Sequence, residues 1–94
     1  LTYYNTISFK GNENGRNSKI IIIKNDFTSW YEWEDYVILS ESITNIDYDD
    51  VSSNPTANSI QTIDISHITG SYRIGFGMST SDTAIIRMAS FTLS

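Results

Sequence analysis

The 94-residue chain contains no cysteine. No disulfide can brace it and no cysteine-based zinc site exists. Basic residues are also scarce, 6 Lys and Arg against 11 Asp and Glu. None falls between Asn25 and Tyr72, where Asp26, Glu32, Glu34, Asp35, Glu41, Asp47, Asp49, Asp50 and Asp64 accumulate. A nucleic-acid binder needs clustered cations to displace counterions, so this charge pattern argues against such a partner. The longest apolar run, Ile20-Ile21-Ile22-Ile23, is far short of a membrane span, and no signal-peptide pattern is present. Membrane insertion is not expected.

Helix formers are few and no segment sustains apolar spacing at i, i+3, i+4, i+7. What is present favours sheet: 15 Ile and 10 Thr, with many Ser. Tyr3 to Lys10 alternates and predicts a first strand. "GNENGRNS", residues 11 to 18, reads as a turn, with Asn14-Gly15 suited to a tight hairpin. "KIIIIK", residues 19 to 24, carries Ile on both faces and predicts a central strand covered on both sides. "YVILSES" (36 to 42), "IQTIDIS" (60 to 66), "SYRIGFG" (71 to 77) and "AIIRMASFTL" (84 to 93) read as further strands. Residues 43 to 59 include a loop around Pro55.

Together these predict a single all-β domain over residues 1 to 94, an antiparallel β-sandwich of about six to eight strands. Ile22, Ile38, Ile65, Tyr72, Ile74 and Phe76 are the expected core. The chain opens at Leu1 within a strand pattern, which suggests an excised or processed part of a larger protein, lacking an edge strand. A small domain with an unpaired edge is expected to associate with copies of itself or with neighbouring domains.

Residues 60 to 93 carry a resemblance. Ile63-Asp64-Ile65-Ser66, followed by Ile68-Thr69-Gly70-Ser71-Tyr72 and an alternating strand, resembles the closing strands of jelly-roll modules in phage tail, baseplate and prophage-encoded surface proteins. "LTYYNTISFKG" looks like an early strand of such a module. The resemblance implies a lectin-like β-sandwich, binding to bacterial cell-surface carbohydrate, and location on a virion or a cell surface. The matching residues themselves read as scaffold.

Chemistry is densest in "NDFTSWYEWEDY", residues 25 to 36, with five aromatic rings and four acids in twelve positions. A sugar ring packs its C–H face on a flat aromatic surface, and its hydroxyls need acceptors and donors alongside. Trp30, Tyr31 and Trp33 with Glu32, Glu34 and Asp35 supply both and are the candidate ligand-binding residues. Tyr36 and Asp26 belong to the same stretch. If residues 27 to 38 were one strand, alternation would send some rings into the core and others to a binding surface. The competing reading is that the rings only wall a core, leaving an architectural spacer or oligomerisation domain.

Other constellations are weaker. Asp47, Asp49 and Asp50 resemble half of a calcium loop, but no Gly and no bidentate Glu follow in register, so a solvated acidic loop is expected. His67 is the lone histidine, and Ser66 and Asp64 beside it in sequence do not make a triad. Eleven acids offer many pairs without specificity for glycoside hydrolysis. The expectation is a binding domain, neither an enzyme nor dependent on a cofactor or metal.

Overall fold

The computed structural model describes residues 3–26, 30–78 and 83–94, and the backbone alone, without side chains, at Trp30, Tyr31 and Glu32. Six strands form two antiparallel three-stranded sheets. They are β1 (Thr6–Glu13), β2 (Lys19–Lys24), β3 (Val37–Ser42), β4 (Ile60–Asp64), β5 (Tyr72–Gly77) and β6 (Ile86–Leu93). One sheet has the order β4-β1-β6 and the other β3-β2-β5. Among the described residues the helical elements are two 3-10 segments, Trp30–Tyr36 and Pro55–Ala57. The fold is a small antiparallel β-sandwich, as the residue types predict.

The inner faces explain themselves by parity. Ile7, Phe9 and Ile63 from one sheet meet Ile20 and Ile22 from the other, with Ile43, Ile65 and Ile68 closing the ends. The outer face of the β1 sheet presents Ser8, Lys10 and Thr62, so each of its strands needs only one apolar side. β2 differs. It is central in its sheet, and Ile20 and Ile22 turn inward while Ile21 and Ile23 turn outward, yet all four are buried. Something must cover the outer pair.

Four of the five connections pass from one sheet to the other. One correction follows at Asn14-Gly15. β1 and β2 lie in different sheets, so this pair is a crossover and not a hairpin. β1 continues through Glu13, and Gly15 then turns the chain at a φ of 85°, which a side chain would resist. The polar residues expected to sit in an open turn are instead buried: Asn12, Glu13, Asn14 and Ser18 are each at most 2% exposed. The first strand begins at Thr6, leaving Tyr3 and Tyr4 exposed before it.

Two expected core residues are displaced. Ile38 has no pairing partner, because the register steps from Ile22↔Leu39 to Ile23↔Val37. This bulge reverses the parity around Ile38. Leu39 packs on the main core, Val37 turns to the outer face with Ile21 and Ile23, and Ile38 is exposed. Phe76 points inward but sits at the margin of the sandwich, packed on Phe9 and Phe91 yet 39% exposed. Ile22 and Ile65 are fully buried, and Tyr72 and Ile74 pack on the core from its edge.

A second bulge, between Lys10 and Gly11, brings β1 hard against β6. A Cβ at Gly11 would stand on the Arg87 carbonyl oxygen and 2.7 Å from Phe9 Cζ. Only a bare backbone fits that approach.

The acids of the long β3–β4 excursion and of the β4–β5 turn work as local caps. Asp49 accepts from the Ser52 hydroxyl at 2.6 Å, from the Val51 amide at 2.9 Å and from the Ser52 amide at 3.2 Å. Asp64 accepts from the Ser66 hydroxyl at 2.7 Å and the Ser66 amide at 2.9 Å. These bonds, those to the seryl hydroxyls foremost, favour the ionised form and hold both carboxyls below the ordinary carboxylate range. A depressed folded pKa contributes stability above the unfolded value, near pH 4, and loses it as pH falls through the folded value. The Asp49→Asn/Asp64→Asn double variant should therefore show a shallower fall of melting temperature below about pH 4. Thermal unfolding across pH 2–5 checks this, and an unchanged slope would contradict it.

Candidate saccharide-binding groove

The cover over Ile21 and Ile23 is the aromatic stretch. Residues Trp30–Tyr36 form a 3-10 segment laid against the outer face of the β3-β2-β5 sheet. Its side chains therefore do not alternate between two faces, because residues 30 to 36 are not a strand. A 3-10 segment repeats every three residues and eclipses i with i+3. Trp33 and Tyr36 accordingly share a face, and both pack on the Ile21–Ile23 pair together with Val37. They wall a second, smaller core.

Trp33 does more than cover. Its ring is half-buried and borders an open groove of about 330 Å³ with Glu34, Lys19 and Ser40. Ile21 and Val37 form the floor, and Gly77 and Met78 close the β5 side. The sheet register explains this company. Ser40 and Gly75 flank Ile21, and Ser42 and Gly77 flank Lys19, so one outward row runs from the cation to the isoleucine. Both β5 partners are glycines, which leaves the neighbourhood of the indole low. A Cβ at Gly77 would lie 3.7 Å from the Trp33 ring and 3.5 Å from Ile21.

Of the six residues expected to bind ligand, Trp33 and Glu34 come together in this groove. Asp35 is exposed and lies outside its lining. Trp30, Tyr31 and Glu32 belong to the 3-10 segment by backbone, and their side chains lie outside the described residues, as does all of Phe27. Lys19 and Ser40 were not among the expected residues. Their signal is the outward parity of "KIIIIK" and of β3, readable only once the neighbours of β2 are known.

The groove combines an apolar floor, one indole wall, one cation, one anion and a hydroxyl. That set can pack a C–H face and exchange hydrogen bonds with ring hydroxyls in both directions. No group of three or more His, Asp or Glu side chains converges on a metal-sized position among the described residues. Comparison with family models, with curated proteins and with solved structures finds no match to this chain.

Proposed function

We propose that the domain is a carbohydrate-binding module and that the groove beside Trp33 is its saccharide site. The observation that carries this reading is the meeting of Trp33, Glu34, Lys19 and Ser40 over the floor of Ile21 and Val37. The groove volume, about 330 Å³, falls at the lower end of the range usual for small-ligand sites, roughly 300–1,000 Å³. One sugar ring is the scale of ligand that fits. The two-sheet architecture is compatible with the jelly-roll resemblance of residues 60 to 93, and a place in a phage-like tail or surface protein, gripping a bacterial envelope saccharide, follows from that resemblance. Strands β3, β4, β5 and β6 are each the edge of a sheet, which suits association with copies or neighbouring domains of a larger protein.

A second reading rests on the packing of Trp33 and Tyr36 over Ile21 and Ile23: the aromatic segment is wholly a cover and the domain a structural spacer. Polar substitutions separate the two. Glu34 is exposed and Lys19 begins a strand, so Glu34→Gln and Lys19→Met should leave the melting temperature nearly unchanged. Each should weaken binding to cell-wall polysaccharide by about tenfold to a hundredfold, the loss of one hydrogen bond to a charged group. Calorimetric titration against fractionated polysaccharide measures it. If no fraction binds the wild-type domain, the spacer reading stands.

A further inference from the structure

A second cleft lies away from the groove, at the other end of β5, where the sheets part. Its volume is about 460 Å³. Tyr4 and Tyr72 line it with Asn25 and Ser71, over Ile74 and Leu93. Four separate segments meet there, and each is pinned. The Asn5 amide just after Tyr4 donates to the Ser94 carbonyl at 2.8 Å, and the Asn5 carbonyl accepts from Ile65 at 2.9 Å. That clamps the approach to β1 between the end of β6 and the turn after β4. Asn25, which follows β2, accepts from Arg73 Nε at 3.1 Å through Oδ1, so the carboxamide is oriented and its Nδ2 is the donor it has to give. Gly70 enters the cleft with a φ of 85°, and nothing stands within 4 Å of where a Cβ would be. The space beside Ser71 is open backbone.

The chemistry of this lining differs from that of the groove. Among the described residues no ionised side chain lines it, although the chain carries a net charge of −5. Two phenol rings offer flat apolar faces with a hydroxyl at each tip, and Asn25 and Ser71 add a donor and a donor–acceptor. A charged ligand would find no counterion in this lining, since the neighbouring Arg73 guanidinium is already bonded to Asn25, and a purely apolar one would strand the amide and hydroxyls. An uncharged polyol ring satisfies both the faces and the polar groups. We infer that the cleft of Tyr4, Tyr72, Asn25 and Ser71 is a second saccharide subsite, specific for an uncharged sugar residue. It stands on its own lining and does not depend on the groove beside Trp33. Were both occupied by one polymer, the second contact would be intramolecular and avidity would exceed either affinity alone.

The test is an NMR titration of the whole 94-residue domain with maltohexaose, cellohexaose and chitohexaose, all uncharged. At least one should shift the signals of Tyr4, Asn25, Ser71 and Tyr72 in a saturable way. Tyr4 precedes the first strand and is exposed, so Tyr4→Ala should leave the fold intact and weaken this binding by about tenfold. Lys10→Ala, on the outer face of the other sheet, should leave it unchanged. Shifts around Trp33 with the cleft silent under all three sugars would overturn the inference and keep the groove as a site. Shifts at the cleft that survive Tyr4→Ala would overturn it as well. Shifts confined to the cleft would support it and leave the groove to its own test with cell-wall polysaccharide.

Discussion

Phe9→Ala should cost about 3–5 kcal/mol, a large share of what keeps a domain of this size folded. Phe9 has no exposed surface and touches Phe76 and Phe91, with ring centroids 6.1 and 6.4 Å away. Phe76 and Phe91 are themselves 6.3 Å apart, so the three rings close a triangle bridging the two sheets. Deleting the central ring removes its own burial and leaves two others facing a cavity. Tilted and edge-on ring pairs add about 0.5–1.5 kcal/mol each beyond area. No disulfide backs up this packing, and a domain of this size has roughly 5–15 kcal/mol in total. Phe76→Ala should cost distinctly less, because that ring is 39% exposed. Urea unfolding of the two variants checks the order. A Phe9→Ala domain within about 1 kcal/mol of wild type would mean that the triangle does not hold the sheets together.

The second large effect belongs to Glu13. Its Oε2 accepts from the Arg16 amide at 2.9 Å and the Ser18 amide at 3.4 Å, and the residue is 2% exposed. Its own amide donates to Asn45 and its carbonyl accepts from Asp47, both across the long β3–β4 excursion. Neighbouring side chains extend the same junction. Asn12 donates to Ser53 Oγ at 2.9 Å and Asn58 Oδ1 at 2.7 Å. Asn14 donates to Asp50 and to the Thr83 carbonyl and accepts from the Ile85 amide, each at 3.1 Å. Three consecutive residues thus tie the β1–β2 crossover to the excursion and to the approach to β6. Glu13→Ala removes the acceptor of the buried Ser18 amide and of the half-buried Arg16 amide, at a cost of about 2–3 kcal/mol. Both bonds go to one oxygen, so Glu13→Gln can keep them and should cost less than half as much. Hydrogen exchange at Arg16 and Ser18 should accelerate in Glu13→Ala and stay near wild type in Glu13→Gln. Equal behaviour of the two variants would contradict the assignment.

These two residues mark where sequence reasoning reached and where it stopped. Phe9 lies in an alternating strand, and alternation is a local signal that survives into the fold. "KIIIIK" was legible for the same reason: four successive isoleucines need cover on both sides whatever supplies it. Glu13 was not legible. "GNENGRNS" has the composition of an open turn, and what buries it are distant partners, those of Asn12 and Asn14 between 36 and 71 residues away, that local pattern cannot name. Ile38 was misplaced because a bulge breaks parity without any Gly or Pro to announce it. The aromatic stretch was found by its density but not by its shape. The spacing of three among Trp30, Trp33 and Tyr36 is the 3-10 period, and alternation at period two missed it. Trp33 and Glu34 were therefore named from an alternation that the 3-10 segment does not have, and Lys19 and Ser40 had to come from the sheet.

The central claim is that Trp33 both covers Ile21 and Ile23 and presents a face to ligand. Its most direct measurement is Trp33→Ala read twice, by thermal unfolding and by titration with cell-wall polysaccharide at a temperature where the variant is folded. A half-buried ring over two isoleucines should cost about 1–2 kcal/mol, or roughly 4–16 °C in melting temperature for a domain of this size. Binding should fall by more than a hundredfold, far beyond what the lost stability can explain. A variant that loses stability by this amount but binds polysaccharide as tightly as wild type would reduce Trp33 to a cover and contradict the claim.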